Sequence, residues 1–454
     1  MRHPPSPAFC HRGRPEGALA RGGGLVYKLG MKIAKPIGLL PLLVLALLAP
    51  LRPGSCREPG VPDRGVPCRA LFAGPRGGLV EVVLTGWNAE GPRLAPLEEG
   101  RVLPEGRPFW LAPLAVAESE ARPVRVLLFP RGRLHGARAV TDEEGEVLRL
   151  EGTPLGDLEV PVPRLRGLLY GPRIRGWSEE ELLAKAGPGE ELLLRVAKRG
   201  FDPIKGFFYR LSGKAFHFAP AGREQANAFP VEGVAALLRG ADPLAREKGE
   251  KERPPHRLSL NDGTTLPVGV VGLAEGMLRV KLPWGGVGRT PVKRISGLEL
   301  PGPDFRFLSM LRPSRVEERS WFGPNQPFLY PHQRDRSCTG GPLLAGGVLW
   351  SRGLGCHSRC RLTYTLDKKW KRFFALAALD DTAARLDLPG RADLRVLVDG
   401  RKAWEARDLG PGVPPRTVGP LSLEGVKELT LEVDFGARLH VGDRVGWLLP
   451  VLYR

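Results

Sequence analysis

Apolar and polar residues alternate in short runs along most of this chain, and turn-forming residues separate the runs. A glycine follows an acidic residue at Asp262–Gly263 and at Glu275–Gly276, with alternating segments on both sides. Runs with a period of two residues predict half-buried strands, and Asp-Gly turns between them predict hairpins. The pattern therefore predicts an all-β protein built from short antiparallel strands.

Three segments close in the same way, with Pro-Val followed by a mainly apolar run. They begin at Pro161, Pro230 and Pro291, which indicates a repeated unit. Each unit is predicted to be a small twisted sheet of four or five strands, and residues 69–118 are expected to complete the first one. The predicted boundaries are 57–175 for the first unit or units, 176–240 for the second, 241–255 for a charged linker and 256–300 for the third.

One short helix is predicted within the second unit. Ser178 precedes three consecutive glutamates, Glu179, Glu180 and Glu181. A serine accepts hydrogen bonds from the free amides of a helix N-terminus, and acidic side chains in the first turn favour the helix dipole. We therefore expect Ser178 to be an N-cap.

Residues 304–454 change the pattern and predict an antiparallel sandwich. Turn signals recur about every ten residues and no helical period is present. Gly353, Gly355 and His357 predict a glycine-bent loop before a strand with alternating apolar residues. A second apolar strand then ends on Asp380 and Asp381. Candidate chemistry is therefore expected on loops at the ends of a rigid β scaffold.

An ordered set of motifs makes residues 304–454 resemble the NPCBM carbohydrate-binding module family. The motifs are Gly353-Leu-Gly355 with His357-Ser358, Tyr364-x-Leu366, residues 373–379 with Asp380-Asp381, Val396-x-Val-Asp-Gly400, residues 429–433, and Asp443-x-x-x-Trp447. The resemblance implies a galactose-binding-like jelly-roll β-sandwich that recognises glycans. Arg444 and Gly446 depart from the His and Asp that the family carries, so altered or lost binding is an alternative.

Sugar recognition needs an aromatic plane against the ring and polar groups for the hydroxyls. The sequence offers three tryptophans as platforms and three polar residues near the motifs, with core packing as the alternative role of Trp404 and Trp447, which lie in strand-like contexts. A structural bracket is the alternative role of His357. The candidate carbohydrate-binding residues are Trp350, His357, Ser358, Trp404, Asp443 and Trp447.

Asp380 and Asp381 are a weak candidate for Ca²⁺, and no other cofactor is predicted. Neighbouring residues on a strand point to opposite faces, so the two carboxylates do not form an acid/base pair across a substrate. Calcium uses six to eight oxygen ligands, of which this pair supplies a part. Cys356 and Cys360 lack a second ligand pair at zinc spacing, and pairing with Cys338 or remaining free and buried both stay open.

The N-terminal residues have the pattern of an export signal. Met31 and Lys32 precede an apolar run over residues 37–51, so residues 1–30 are interpreted as an upstream extension and residues 31–56 as a signal peptide. Cys56 is an alternative site of lipid attachment. The predicted location is the periplasm, the cell surface or the exterior, with no membrane span in the mature chain.

The net charge of +19 permits an acidic partner but does not define one. The arginines are scattered and no nucleic-acid motif is present, so no specific nucleic-acid partner is predicted.

The repeat units resemble the β repeats that precede carbohydrate-binding-like modules in exported proteins of planctomycete type. Together with the pattern of an export signal, the resemblance of residues 304–454 to the NPCBM family implies an exported, non-catalytic glycan-binding protein. The alternatives are a structural or protein-interaction protein whose sandwich no longer binds sugar, and a glycan-acting hydrolase with its site in residues 69–240.

Overall fold

A computed structural model describes residues 65–74, 77–114, 122–129, 132–240, 255–323 and 326–454. The predicted upstream extension, the signal peptide and Cys56 lie outside the described residues, as does nearly all of the predicted linker. The described residues are almost entirely antiparallel β structure, which confirms the predicted fold class. Within them, no helix is long and apolar enough to cross a membrane.

The repeat region contains four units, here named A to D, that share one pairing scheme. In each, the opening strand pairs with both the second strand and the closing strand. Unit A has β1 Val66–Phe72, β2 Gly78–Asn88, β3 Gly91–Pro96 and β4 Pro108–Pro113; unit B has β5 Val124–Leu128, β6 Gly132–Gly136, β7 Arg138–Thr141, β8 Val147–Thr153, β9 Gly156–Pro161 and β10 Leu165–Tyr170. Residues 66–113 thus form a unit of their own, rather than completing the first one.

Units C and D continue the same scheme. Unit C has α1 Glu179–Leu183, β11 Glu191–Val196, β12 Phe201–Leu211, β13 Ala215–Pro220, β14 Asn227–Pro230 and β15 Val234–Arg239; unit D has β16 His256–Leu260, β17 Thr265–Ala274, β18 Met277–Lys281, β19 Val287–Pro291 and β20 Ile295–Glu299. Helix α1 has the predicted Ser178 cap, because the Ser178 hydroxyl accepts from the Glu181 amide and the Glu181 carboxylate accepts from the Ser178 amide.

The three Pro-Val segments share one local structure. A strand ends on Pro161, Pro230 or Pro291, a single 3-10 turn follows, and the closing strand begins. Proline ends the strand because it fixes φ and has no amide hydrogen for the ladder. The closing strands also join units in pairs, β10 with β15 and β4 with β20. One apolar core runs through all four units.

The C-terminal region is a sandwich of two sheets packed on a common core. The six-stranded sheet contains β21 Phe305–Phe307, β23 Gln333–Arg334, β26 Gly353–His357, β28 Arg372–Leu379, β31 Arg416–Ser422 and β33 Arg444–Tyr453. The five-stranded sheet contains β22 Arg315–Glu318, β27 Cys360–Thr365, β29 Ala392–Val398, β30 Arg401–Leu409 and β32 Glu428–Phe435. The hairpin β24 Leu343–Ala345 and β25 Val348–Trp350 lies beside them. Residues from both sheets fill one buried cluster, as in a β-sandwich.

The predicted loop around His357 is wrong in one respect, because its glycines lie in a strand. Gly353–His357 forms β26 and pairs along its length with β33. A β-carbon on Gly355 would lie 2.2 Å from the Arg336 carbonyl oxygen. The glycine therefore allows a close approach of two backbone segments and does not bend a loop.

The outer face of the six-stranded sheet is covered by unit A. Leu71, Phe109 and Trp110 of unit A share a buried cluster with Phe374, Leu448 and other residues of the sandwich. Arg352 spans the same boundary, since its guanidinium donates to the Glu299 carboxylate of unit D at 2.7 and 2.9 Å and to Asp335 at 2.5 Å. The sandwich is thus held against the repeats by apolar packing and by a buried ion pair.

Candidate functional site

Three of the predicted polar residues lie together at one end of the sandwich. His357 ends β26, and its Nδ1–H donates to the Ser358 carbonyl at 2.8 Å. The Ser358 hydroxyl donates to Asp443 Oδ2 at 2.5 Å, and the Arg391 amide donates to Asp443 Oδ1 at 2.9 Å. Ser358 and Asp443 are buried, so these two side chains link the strand ends from beneath the surface.

Burial shifts the pKa values of Asp443 and His357. Removal from water raises the pKa of Asp443 to about 7, against the opposing effect of its hydrogen bonds with Ser358 and Arg391. Burial also lowers the pKa of His357, and the neighbouring charges of His440 and Arg444 lower it further. His357 is therefore neutral at neutral pH, and its ring remains available as an aromatic surface and a hydrogen-bonding group.

The three predicted tryptophans lie in three different places. Trp350 is 5% exposed, its indole nitrogen donates to the Ala345 carbonyl at 3.1 Å, and it stacks on Trp110 of unit A with ring centroids 6.4 Å apart. Trp447 is fully buried in the sandwich core. These positions favour packing over a role as a sugar platform, since neither ring has a face open to a ligand.

Trp404 is the one predicted tryptophan with a partly open position. It is half-buried, its ring meets Trp447 edge-on with centroids 6.1 Å apart, and it lines a groove of about 560 Å³ beside Glu405, Asp408 and Arg416. The groove lies on β30 and β31, which are at the opposite sheet edges from β26 and β27. Arg391 also lines the groove, and its amide donates to Asp443, so Trp404 and Asp443 are linked through Arg391. Trp350 and Trp447, in contrast, offer no open face.

The two aspartates predicted for Ca²⁺ already have structural partners. Asp380 accepts from the Thr382 amide and hydroxyl at 2.8 and 2.6 Å and so caps a 3-10 helix over Asp381–Arg385. Asp381 accepts from the amides of Gly346 and Gly347 at 3.0 and 2.7 Å in the β24–β25 turn. The described residues contain no cluster of three potential metal ligands. The two carboxylates thus point to different neighbours and do not fit one ion.

Exposed aromatic residues lie beside His357 and beside His440, and the sequence pattern did not predict them. Tyr330 is 40% exposed and stacks on the His357 ring with centroids 4.9 Å apart. Trp321 is 45% exposed and stacks on His440 at 5.9 Å, while Phe322 is 68% exposed and meets His440 edge-on at 5.1 Å. We call Trp321, Phe322, Tyr330, His357 and His440 the aromatic rim.

Ring packing and hydrogen bonds fix the position of the aromatic rim. The Trp321 ring also packs edge-on against Phe435 of β32 with centroids 5.1 Å apart. The loop that carries Tyr330 is fastened by Glu318, whose carboxylate accepts from the amide and the ring nitrogen of His332 at 2.6 and 3.0 Å. A concentration of aromatic residues among Gly, Pro and Asn over residues 320–332 was the available signal, because such a loop has no strand core to fill.

The cysteines of the sandwich contribute no exposed chemistry. Cys338, Cys356 and Cys360 are free and buried, which selects one of the two alternatives left open by the sequence. Burial raises the pKa of Cys338 to about 12. The Cys360 thiol donates to Glu318 Oε1 at 3.8 Å. These thiols therefore belong to the core, and the rim remains the surface best suited to a ligand.

Comparisons with known proteins find similarity in the C-terminal region. Residues 312–452 match the NPCBM/NEW2 domain model. A Renibacterium salmoninarum protein named as a candidate endo-alpha-N-acetylgalactosaminidase is 27% identical over 124 residues. That match covers 26% of this chain and 8% of the relative, so the chain spans only a small part of its length.

Two solved structures from Clostridium perfringens are also similar. One is the CBM51 of GH95 in complex with methyl-galactose, at 19% identity, covering 33% of this chain and 99% of that chain with a TM-score of 0.28. The other is CBM51-2 in complex with GlcNAc, with the INT domains, from ZmpB, at 18% identity, covering 42% of each chain with a TM-score of 0.29. The domain match supports a carbohydrate-binding domain over residues 312–452.

Proposed function

We propose that this chain is an exported, non-catalytic protein that binds glycans through the aromatic rim of its sandwich. The observation that carries the proposal is the exposure of Trp321, Phe322 and Tyr330 around His357 and His440. An exposed aromatic plane is a good surface for the apolar face of a sugar ring, and the neighbouring imidazoles offer hydrogen bonds to its hydroxyls. The domain match over residues 312–452 supports the same class of ligand.

The expected affinity is modest. Each neutral hydrogen bond exchanges with water and contributes a net ~0.5–1.5 kcal/mol, so a few contacts with one sugar give weak binding. His357 is largely covered by Tyr330, so in this proposal it orients the tyrosine ring and supplies at most one contact. Trp321 and Phe322 supply most of the contact area because they are more exposed than His357.

Glycan binding by the full chain tests this proposal. The protein is applied to an array of neutral and acidic oligosaccharides, and bound sugars are then titrated calorimetrically. Trp321→Ala is expected to weaken binding at least tenfold, because it removes the largest exposed ring of the rim. Trp177→Ala is the matched control, since Trp177 is 39% exposed but lies in the repeat region. Unchanged affinity of the Trp321 variant, or no binding to any sugar, would contradict the proposal.

Export rests on the sequence pattern of residues 31–56. If the pattern acts as a signal, the mature chain begins near Cys56, and lipid attachment at Cys56 adds the mass of its acyl groups. Mass spectrometry of the N-terminal peptide from cells separates ordinary cleavage, lipidation and an uncleaved N-terminus. Recovery of the intact N-terminus from the cytoplasm would contradict export.

The non-catalytic assignment is tested separately from binding. Glycoside hydrolysis needs two carboxylates facing each other across a cleft. Within the described part of units A to C, the buried carboxylate Glu179 already accepts from Arg125 at 2.7 Å and from Arg336 at 2.9 Å, with Arg133 as a third partner. Incubation of the full chain with glycans that it binds should release no sugar. Release that persists in a repurified sample would favour the hydrolase alternative.

A further inference from the structure

A groove of about 600 Å³ lies between units B and D, outside the sandwich. Unit B contributes Arg149, Asp157 and Glu159 from β8 and β9, and unit D contributes the turn that carries Trp284. The two units meet beside it, because the Arg289 amide donates to the Leu155 carbonyl at 3.1 Å. The groove is therefore formed by two units held in contact, and its volume is that of a small-ligand site.

The turn at the edge of the groove has a defined shape. The Leu282 amide donates to the Gly286 carbonyl at 3.2 Å, and the Gly285 amide donates to the Leu282 carbonyl at 3.1 Å. Gly285 and Gly286 have φ of +102° and +75°, which favours glycine over other residues. Trp284 is half-buried: it packs against the core of the repeats and also lines the groove. The indole is thus anchored without being fully covered.

The opposite wall carries charged side chains that point outward from the strands. Asp157 and Glu159 are two residues apart on β9, on the exposed face, and Arg149 lies opposite Glu159 on β8. Arg149 and Glu159 form an ion pair of 3.3 Å whose two side chains are mostly exposed. Asp157 accepts from the Gly152 amide at 2.8 Å. Donor and acceptor groups therefore line the same groove as one aromatic side chain.

The charge of these lining residues limits the class of ligand. Two carboxylates and one guanidinium give a net negative wall, which disfavours nucleic acids and sulfated glycans. A proline-rich peptide needs a groove lined by several aromatic residues, and this groove has a single tryptophan. A neutral sugar fits both features, since its ring packs on an indole and its hydroxyls pair with carboxylates and guanidinium.

We propose that this groove is a second saccharide site, specific for neutral sugars and independent of the aromatic rim. The inference goes beyond the proposed function, because it assigns binding to the repeat region, which the domain match does not cover. Two weak sites on one chain would raise retention on a polymeric glycan by a factor of ~10²–10⁴ over either site alone, if both engage one polymer.

The test reads Trp284 directly in the full chain. The protein is labelled with 5-fluorotryptophan, and the resonance of Trp284 is assigned among the nine tryptophans by Trp284→Phe. Methyl galactoside, N-acetylglucosamine, glucose and cellobiose are titrated in turn. At least one is expected to shift the Trp284 resonance saturably, and the shift should persist in Trp321→Ala. No saturable shift with any of the four sugars, or a shift that disappears in Trp321→Ala, would overturn the inference.

A second variant tests the wall facing the indole. Glu159→Gln keeps the shape and removes one charged acceptor, and charge-assisted hydrogen bonds contribute ~1.5–3 kcal/mol, so the dissociation constant should rise roughly 10- to 100-fold. Glu81→Gln is a matched control on an exposed position of β2 in unit A. Equal affinity of wild type and Glu159→Gln would also overturn the inference. Because the Trp284 and Trp321 resonances are separate, failure of either site is visible without the other.

Discussion

Trp350 and Trp321 belong to the same sandwich, yet their surroundings differ. Trp350 lies under unit A, stacked on Trp110 and 5% exposed. Trp321 lies in a loop at the end of the sandwich, stacked on His440 and 45% exposed. Both rings have an aromatic neighbour, so an aromatic contact alone does not identify a ligand site. What separates them is whether another module of the chain covers the ring.

The comparison also separates two uses of charge. At the covered surface, Arg352 is buried. Its guanidinium donates to Glu299 and Asp335, so the charge links the repeats to the sandwich. At the exposed surface, Arg359 lies 5.9 Å from the Phe435 ring and forms an ion pair with Asp434 at 3.2 Å while remaining mostly exposed. A ligand can displace water around the exposed Arg359, whereas it cannot reach the buried Arg352.

Breaking the buried ion pair should produce the largest effect on stability. Arg352→Ala removes the guanidinium that lies between Glu299 and Asp335, and among the described residues Glu299 then keeps only Arg257 as an ion-pair partner, at 3.7 Å. Loss of one partner of a buried pair costs ~3–5 kcal/mol. Chemical denaturation of the full chain measures this loss. The matched control is the double variant Arg352→Met with Glu299→Met, which should recover part of it, because the buried guanidinium and its main carboxylate partner are removed together while Asp335 and Arg257 each lose one partner. A single variant as stable as wild type would show that this contact does not hold the modules together.

Trp350→Ala tests the covered aromatic directly. Truncation of a buried large aromatic residue costs ~3–5 kcal/mol, so the unfolding midpoint should fall while sugar affinity stays unchanged. Denaturation and calorimetric sugar titration on the same sample measure both quantities. A tenfold loss of sugar affinity without loss of stability would reverse the roles assigned to the two tryptophans.

Asp443 links the core to the exposed end of the sandwich and should make stability depend on pH. Its pKa in the folded state is raised to about 7 from the ordinary value of 3.8, so the folded state holds the proton that the unfolded state releases. The free energy of unfolding should therefore fall as pH rises from about 4 to 7 and then level off. The total decrease is up to ~4 kcal/mol, because one pKa unit corresponds to about 1.36 kcal/mol.

Asp443→Asn isolates that dependence. The amide can still accept from the Arg391 amide and can donate to Ser358, but it does not ionise. The difference in unfolding free energy between variant and wild type, measured from pH 4 to pH 8, should grow in favour of the variant with rising pH. A difference that is constant over this range would contradict the raised pKa of Asp443.

The smallest expected effect on stability is that of the exposed rim. Trp321→Ala removes a ring in a loop that is nearly half exposed, so it should cost about 1 kcal/mol or less. His357→Ala removes a ring under Tyr330 and should weaken sugar binding less than Trp321→Ala does. Denaturation and titration of both variants rank them. A larger binding loss at His357 would move the centre of the site from the tryptophan to the imidazole.

Much of the fold was predictable because it follows from local patterns. Alternation of apolar and polar residues with a period of two predicted the strands. Ordered motifs around Tyr364, Leu431 and Trp447 predicted the antiparallel sandwich and its resemblance to a family. Ser178 was predicted as a helix cap, since a cap depends only on residues three positions apart. The loop at Gly353–His357 was wrong, because the need for glycine arises from a backbone segment that is distant in sequence.

The candidate site was less predictable. Ser358 and Asp443 are 85 residues apart, and their hydrogen bond requires two strand ends to meet. Trp321 and His440 are likewise brought together only by the folded sandwich. Composition marked Trp350 and Trp447 as aromatic candidates, but it carries no information on which rings are covered by other segments.

The sequence by itself determined that the chain is all-β, that Pro-Val segments close repeated units, and that its last third is a sandwich. These properties depend on neighbours within a few residues along the chain, where backbone preferences and hydrophobic periodicity act. The tertiary structure alone decided that unit A covers Trp350, that Asp380 and Asp381 serve separate turns, and that Trp321 meets His440 while Tyr330 meets His357. Burial is the physical reason, because it is set by segments that pack together from distant parts of the chain.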